Sequence, residues 1–226
     1  NSVFATDYKV LKNGQTVIVK QVKNNPVVVI DTWVKTGSIN ETEKNNGVSH
    51  FLEHLLFKGT KNHPAGEIDK FLETKGGIVN AATSKDFTHY YIEIPSKDFD
   101  TALDLHSDML LNPTIPVKEL EKERKVVIEE ISKDLNSPDD KVYDNLIEMI
   151  YKQHPYKRKV IGTEKVISTI SRDEIFDYYN KFYVPQNFVT IVVGDVEPDY
   201  VYKKVEEKFN VASKKSQKIV NKKEKP

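Results

Sequence analysis

His50-Phe51-Leu52-Glu53-His54-Leu55-Leu56-Phe57-Lys58-Gly59-Thr60 is the run from which the rest of the chain is best read. From Gly47 to Phe57 its apolar residues recur with helical spacing. At about 100° per residue, with His50 at zero, His54 falls near 40° and Glu53 near −60°, while Val48, Leu52, Leu55 and Leu56 fall between about 140° and 240°. Two imidazoles and a carboxylate therefore share one face and the apolar residues take the other. A rise of about 6 Å from His50 to His54 lets two ring nitrogens converge on one tetrahedral zinc at about 2.0 to 2.1 Å each, with Glu53 close enough to hold its water. The order H-x-x-E-H is the reverse of the H-E-x-x-H zinc helix. The plainer alternative is a helix showing ordinary polar residues to solvent. Against it, two of the six His in the chain stand within five residues.

A catalytic zinc usually takes three protein ligands and keeps a fourth position for water, so a third ligand must come from elsewhere. The helical run Pro116 to Leu135 carries adjacent candidates, Glu129 and Glu130. With Leu120 at zero, Val117, Val127, Ile128, Ile131 and Leu135 fall between about −20° and 80° and form a core stripe. Glu129 lies at about 180°, towards water, whereas Glu130 and Glu123 lie at about −80° and −60°, on the flank of the stripe. A carboxylate on that flank can reach a cleft. On the wheel alone, the simpler reading is that Glu130 is one more surface carboxylate among 34 acidic residues.

Composition narrows the alternatives. With no Cys among 226 residues, a disulfide scaffold, a cysteine protease, an iron–sulfur protein and a Cys-ligated zinc finger are all excluded, and any metal site must use His, Asp and Glu. Basic and acidic residues balance at 34 each, which argues against a nucleic-acid partner, whose binding needs a positive surplus. There is no apolar run near the roughly 20 residues of a membrane span. No G-x-G-x-x-G, P-loop or G-x-S-x-G occurs. Asn1-Ser2-Val3-Phe4-Ala5 lacks the pattern of a signal peptide; as a mature end left by cleavage it would make the chain a soluble, exported protein, periplasmic or extracellular. The compartment is otherwise open.

Working outward, Tyr8 to Leu11 and Val17 to Lys20 read as strands around an Asn13-Gly14 tight turn. Val27 to Lys35, Ile78 to Thr83, Thr88 to Ile94 and Asn187 to Val193 read as further strands. Gly66 to Lys75, Phe99 to Leu111, Lys141 to Gln153, Arg172 to Phe182 and Val201 to Phe209 read as helices beside the two already described. The mixed order predicts an α+β fold with helices packed against a mixed, mainly antiparallel sheet. Ser213 to Pro226, with six Lys and one Glu, reads as a solvated basic linker or tail, which leaves 1–212 as the folded domain. His63, His89, His106 and His154 read as structural or exposed rather than as ligands.

His50 to Thr60, with a glutamate 76 positions beyond His54, closely resembles the M16 peptidases, the pitrilysin and insulinase family that includes the mitochondrial processing peptidase β subunit. The resemblance continues through Gly76-Gly77, Asn80-Ala81-Ala82-Thr83-Ser84, Tyr90-Tyr91, His154-Pro155-Tyr156, Ile161-Gly162-Thr163 and Val192-Val193-Gly194-Asp195, so that it covers nearly all of Tyr8 to Phe209. It implies the LuxS-like metallohydrolase fold of that family. It also implies one zinc per chain on His50, His54 and Glu130, with Glu53 as general base and Glu123 supporting the site from behind the ligands.

The implied reaction is metal-assisted peptide hydrolysis, with an extended peptide added to the edge of the strand that carries Asn80, Ala81, Ala82 and Thr83. The plainer reading of Asn80 is that it only turns the chain after Gly76-Gly77. Where the family often has Glu before the aromatic strand, this chain has Lys85-Asp86-Phe87, a departure that bears on side-chain contacts there. Family members usually carry a second homologous domain, in cis or as a separate subunit, that brings an Arg and a Tyr to the substrate. The chain thus reads as the zinc-bearing N-terminal half, weak as a peptidase by itself, with 213–226 leading towards the other domain. Two alternatives are a non-catalytic subunit with a structural or assembly role, as served by relatives with broken motifs, and zinc binding without proteolysis.

Overall fold

The alternation of Val, Ile, Thr and aromatic residues yields six strands, β1 (Tyr8–Val10), β2 (Thr16–Gln21), β3 (Val27–Val34), β4 (Ile78–Thr83), β5 (Thr88–Pro95) and β6 (Phe188–Gly194). They form one sheet in the order β1-β2-β6-β3-β5-β4. Only β2 and β6 run parallel; every other neighbouring pair is antiparallel. The chain also forms eight helices among the described residues, α1 (Val48–Leu56), α2 (Glu67–Lys75), α3 (Phe99–Leu111), α4 (Val117–Asn136), α5 (Pro138–Ile150), α6 (Glu164–Ile167), α7 (Arg172–Phe182) and α8 (Pro198–Lys208). The computed structural model describes residues 8–212, and both Asn1 and the basic tail 213–226 lie outside them. The α+β class expected from the sequence is the one observed.

Alternate residues of β2, β3, β5 and β6 are buried, because a period of two sends alternate side chains to the same face. Val17, Thr190, Thr32 and Tyr90 are registered side by side across β2, β6, β3 and β5, and all four are fully buried. Helices α1, α2, α3 and α8 pack against the sheet and add Phe51, Leu72, Leu103 and Val205 to the core, which α4 and α7 extend with Val127 and Ile175. A polar chain crosses this core: Gln15 Nε2 donates to Thr190 Oγ1 (2.9 Å), Thr190 meets Thr32 Oγ1 (2.8 Å), and Thr32 meets His106 Nε2 (2.8 Å). His106, read as structural, is fully buried, and burial pushes its pKa down to about 3.

Several boundaries differ from the sequence reading for local reasons. The first hairpin is not a two-residue Asn-Gly turn. Gly14 N–H bonds Leu11 O, Leu11 N–H bonds Gln15 O, and only Gly14 (φ +90°) takes the left-handed conformation, which is the longer turn ending in a bulge. Asn13 instead accepts from Gln15 N–H and donates to Phe209 O. Helix α5 starts three residues earlier than expected because Ser137 caps it and Pro138 fits its first turn. Pro198 likewise opens α8. On α4 the middle of the expected stripe, Leu120, Val127 and Ile131, is buried, but Val117 and Leu135 at its ends are exposed, since the helix overruns the core beneath it. The layout places α1 against α4 and beside β4, the strand at the sheet edge.

Candidate metal centre

Helix α1 buries Val48, Phe51, Leu52, Leu55 and Leu56 completely, so its opposite face is turned away from the core with His50, Glu53 and His54 on it. That face meets the flank of α4. His50 Nε2 lies 3.8 Å and His54 Nε2 3.6 Å from the same oxygen, Glu130 Oε2. Glu129, the neighbour read as facing water, is exposed. Ligand atoms around a tetrahedral zinc stand about 3.4 Å apart. The two observed separations need only a small contraction to match. The donor set of two imidazole nitrogens and one carboxylate oxygen, all within 4.8 Å of one another, fits a divalent metal with N/O preference and could hold one.

The protonation of these groups suits that use. Burial, with the neighbouring His54, pushes the His50 pKa down to about 4, so its ring is neutral and its lone pair available at physiological pH. His54 Nδ1 lies 3.2 Å from Glu123 Oε2, and Lys58 Nζ lies 3.0 Å from Glu123 Oε1. With Glu123 accepting from Nδ1–H, the Nε2 lone pair is directed at the site and the ring is held in place. Lys58 in turn pairs with Glu123 where that side chain is nearly buried. Lys58 was not singled out in the sequence; it lies just past the end of α1, and its pairing with Glu123 on α4 leaves no local pattern.

Glu53 stands beside the ligands with its pKa raised by burial, a shift that a hydrogen bond from Thr83 opposes. Thr83 Oγ1 donates to Glu53 Oε2 and leaves the second oxygen of that carboxylate without a partner among the described residues. This pairing joins β4 to α1. Sequence reasoning placed Thr83 with the peptide-binding strand and missed its bond to Glu53, because a contact between residues 30 apart leaves no local pattern.

Asn80, Ala81, Ala82 and Thr83 all lie on β4, paired on one side only, with β5. Asn80 is within the strand and not in a turn. The hairpin bond from Ser84 N–H to Phe87 O fixes the alternation, so the backbone groups of Val79, Ala81 and Thr83 point to the free edge. Ala81 N–H there is met by the Asn80 side chain (2.8 Å). Beyond the strand, the Lys85-Asp86 turn packs inward: Lys85 Nζ donates to Tyr156 O and Arg158 O, and Tyr156 donates to Asp86. A cleft of about 560 Å3 opens between this turn, His50, Thr83 and the α5 residues Tyr143 and Ile147. The remaining His stay apart from the site's ligands: His63 lies 3.4 Å from Glu67, His89 stacks on Trp33 and bonds Asp31, and His154 caps a short turn through Tyr156 N–H.

The family model described as Insulinase (Peptidase family M16) matches residues 16–164, and the model described as Peptidase M16 inactive domain matches residues 169–226. The chain is 38% identical over 201 residues to a Bacillus subtilis protein named as the uncharacterized zinc protease YmxG, covering 88% of this chain and 48% of that protein. It is 32% identical over 212 residues to subunit 1 of the mitochondrial cytochrome b-c1 complex of Rattus norvegicus, covering 94% of this chain and 44% of the subunit. A crystal structure of a protease from Helicobacter pylori superposes with a TM-score of 0.89 at 33% identity, covering 95% of this chain and 52% of that one. The chain therefore spans about half the length of the curated relatives it matches.

Proposed function

The chain belongs to the insulinase family of M16 peptidases, and from that premise we propose that it is the zinc-bearing half of a metalloendopeptidase. The observation that carries the reading is the convergence of His50, His54 and Glu130 on one point with the part-buried carboxylate of Glu53 alongside. His50, His54 and Glu130 would hold one zinc, with Glu123 orienting His54. Bound zinc supplies Lewis-acid polarisation of the scissile carbonyl and a lowered pKa for the attacking water. Glu53 would take a proton from the attacking water on its unpaired oxygen and return it to the leaving amine. A pKa raised by burial suits both halves of that transfer, since a base poised nearer neutral pH also serves as an acid. Thr83 keeps the carboxylate aimed while it does so.

The substrate is a peptide or unfolded segment that adds to the free edge of β4 through the backbone groups of Val79, Ala81 and Thr83, a mode that tolerates many sequences. Residues 1–212 form the catalytic domain, and 213–226 lead towards a second M16 domain, in cis or on a homologous subunit. The half-length match to the relatives supports that division of labour. A second reading, a non-catalytic subunit of a larger assembly, is favoured by the likeness to the cytochrome b-c1 subunit.

One experiment separates the readings: zinc content by elemental analysis together with hydrolysis of a quenched peptide library, with and without a chelator and a second M16 domain. The catalytic reading expects about one zinc per chain, slow hydrolysis by the 226 residues, a marked rise on adding the second domain, and loss of activity with the chelator. Metal without hydrolysis, even in the presence of the second domain, favours the non-catalytic subunit. Chelator-resistant cleavage rejects the metal mechanism, and fast cleavage by the chain alone rejects the need for a second domain.

A further inference from the structure

The two His of the motif are not held alike. His54 has Glu123 on its Nδ1, but His50 Nδ1 is buried and without a hydrogen-bond partner among the described residues. A ligating imidazole is normally aimed by the bond its other nitrogen makes. The orientation of His50 must therefore come through its backbone, which lies in the first turn of α1. That turn has no side-chain cap of its own, because its N-cap is Gly47. Gly47 sits at φ +99°, and a Cβ there would come within 2.8 Å of Gly162 Cα and of Ile161 O. Any Ser, Thr, Asp or Asn cap at this position is excluded by that approach.

The missing cap comes from upstream in the chain. Glu41, 4% exposed, accepts from Gly47 N–H (2.7 Å) and Asn46 Nδ2 (2.8 Å) on one oxygen and from Ser49 N–H (2.9 Å) on the other. Asn46 also donates to Lys159 O (2.9 Å), which ties the cap to the loop that presses on Gly47. Ser49 Oγ lies 2.9 Å from Tyr178 OH, so the residue before His50 is held at both its backbone and its side chain. A carboxylate at a helix start satisfies otherwise unpaired N–H groups and complements the helix dipole. Charge-assisted bonds of this kind are the strong class, and no cation forms a salt bridge with Glu41 among the described residues.

We propose that Glu41, nine residues before His50, is a positioning residue of the metal centre, setting His50 through the capped first turn as Glu123 sets His54 through its ring. The inference rests on the zinc-site reading above. Removing either support then loosens one ligand and leaves the other in place.

The test is a metal titration followed by the ligand-field absorption of Co2+ and by competition for Zn2+. It uses the 226-residue chain and its Glu41→Gln and Glu123→Gln variants, each below its own melting temperature as fixed by circular dichroism. Loss of an outer-shell partner costs about 10- to 100-fold in metal affinity. Glu41→Gln, nearly isosteric, is expected to weaken binding by about that factor and to alter the Co2+ spectrum. Combined with Glu123→Gln the losses should multiply, as they act on different ligands. Glu41→Asp keeps the charge but shortens the arm, and serves if Glu41→Gln does not fold; it should show the same weakening. A lowered melting temperature with unchanged metal affinity and spectrum in the folded variants makes Glu41 purely structural and overturns the proposal. Failure of the wild-type chain to bind either metal at all counts against the zinc site itself, a result distinct from any effect of Glu41.

Discussion

Helices α1 and α5 are both short and both carry apolar residues at helical spacing, yet they are used in opposite senses. The nine residues of α1 bury six side chains and leave the polar face for chemistry. The thirteen residues of α5 bury none: Val142 is 69% and Met149 74% exposed, with Leu146 and Ile150 on the same outward stripe. The side of α5 that faces the rest of the molecule is a different one, with half-buried Ile147 and with Asp144, which pairs with Lys159. Periodicity thus identifies a helix and its two faces, but which face finds a partner depends on what the fold lays against it. In α1 the sheet and α4 decide; in α5 nothing among the described residues covers the apolar row.

The comparison breaks most sharply at the polar face of α1. If that face is there for a metal, His54→Ala or Glu130→Ala should lose it altogether, as elemental analysis of the purified variants will show. Glu53→Gln should keep the metal and lower turnover by about 10²- to 10⁴-fold, the usual worth of a positioned general base. Peptide cleavage by Glu53→Gln at the wild-type rate would reassign the base. None of these changes touches the buried side of the helix, so the variants should melt with the same cooperativity as the metal-free parent.

Histidines show the same contrast between interior and face, now as a pH effect. His106 is enclosed by the core with a pKa near 3, against an ordinary value of 6.5. A depressed histidine pKa means that the unfolded chain takes up its proton first as pH falls. Its contribution to stability is intact above about pH 6.5 and is lost progressively towards pH 3, a difference on the order of 4 to 5 kcal/mol. His50, pushed down to about 4 by burial and by His54, adds in the same direction. Denaturant unfolding of His106→Asn between pH 7 and pH 4 should show a shallower fall than the parent, whatever its stability at pH 7. Equal slopes would place the acid sensitivity elsewhere.

How much of this was legible in the chain follows the same division. The six strands and the longer helices are periodic over several residues, and their positions were readable to within a few residues. The ligand face of α1 was readable from angles alone, whereas Glu130 needed the resemblance, because a flank carboxylate looks like any other acid on a wheel. Four-residue α6 is too short to show a period. Thr83 beside Glu53, Lys58 beside Glu123 and Glu41 on the first turn of α1 were not readable: each depends on segments brought together by the fold. The exposed ends of the α4 stripe, Val117 and Leu135, failed for the reason α5 does, since the pattern continues past the surface meant to receive it.

Stability measurements sharpen the comparison in the two matched leucines. Leu52 of α1 is fully buried in the main core, so Leu52→Ala removes three carbons from a packed site and should cost about 2 to 5 kcal/mol in denaturant unfolding. Leu146 of α5 is half exposed and borders no buried side chain of its own helix. Leu146→Ala should fall within about 0.5 kcal/mol of the parent, the range of ordinary surface substitutions, because the leucine already meets water in the folded chain. The helix propensity of alanine is slightly better than that of leucine, which pulls the small residual towards stabilisation. A cost for Leu146→Ala approaching that of Leu52→Ala would mean that the apolar row of α5 is covered in solution even in this chain, and the two helices would then be alike in having a buried apolar face.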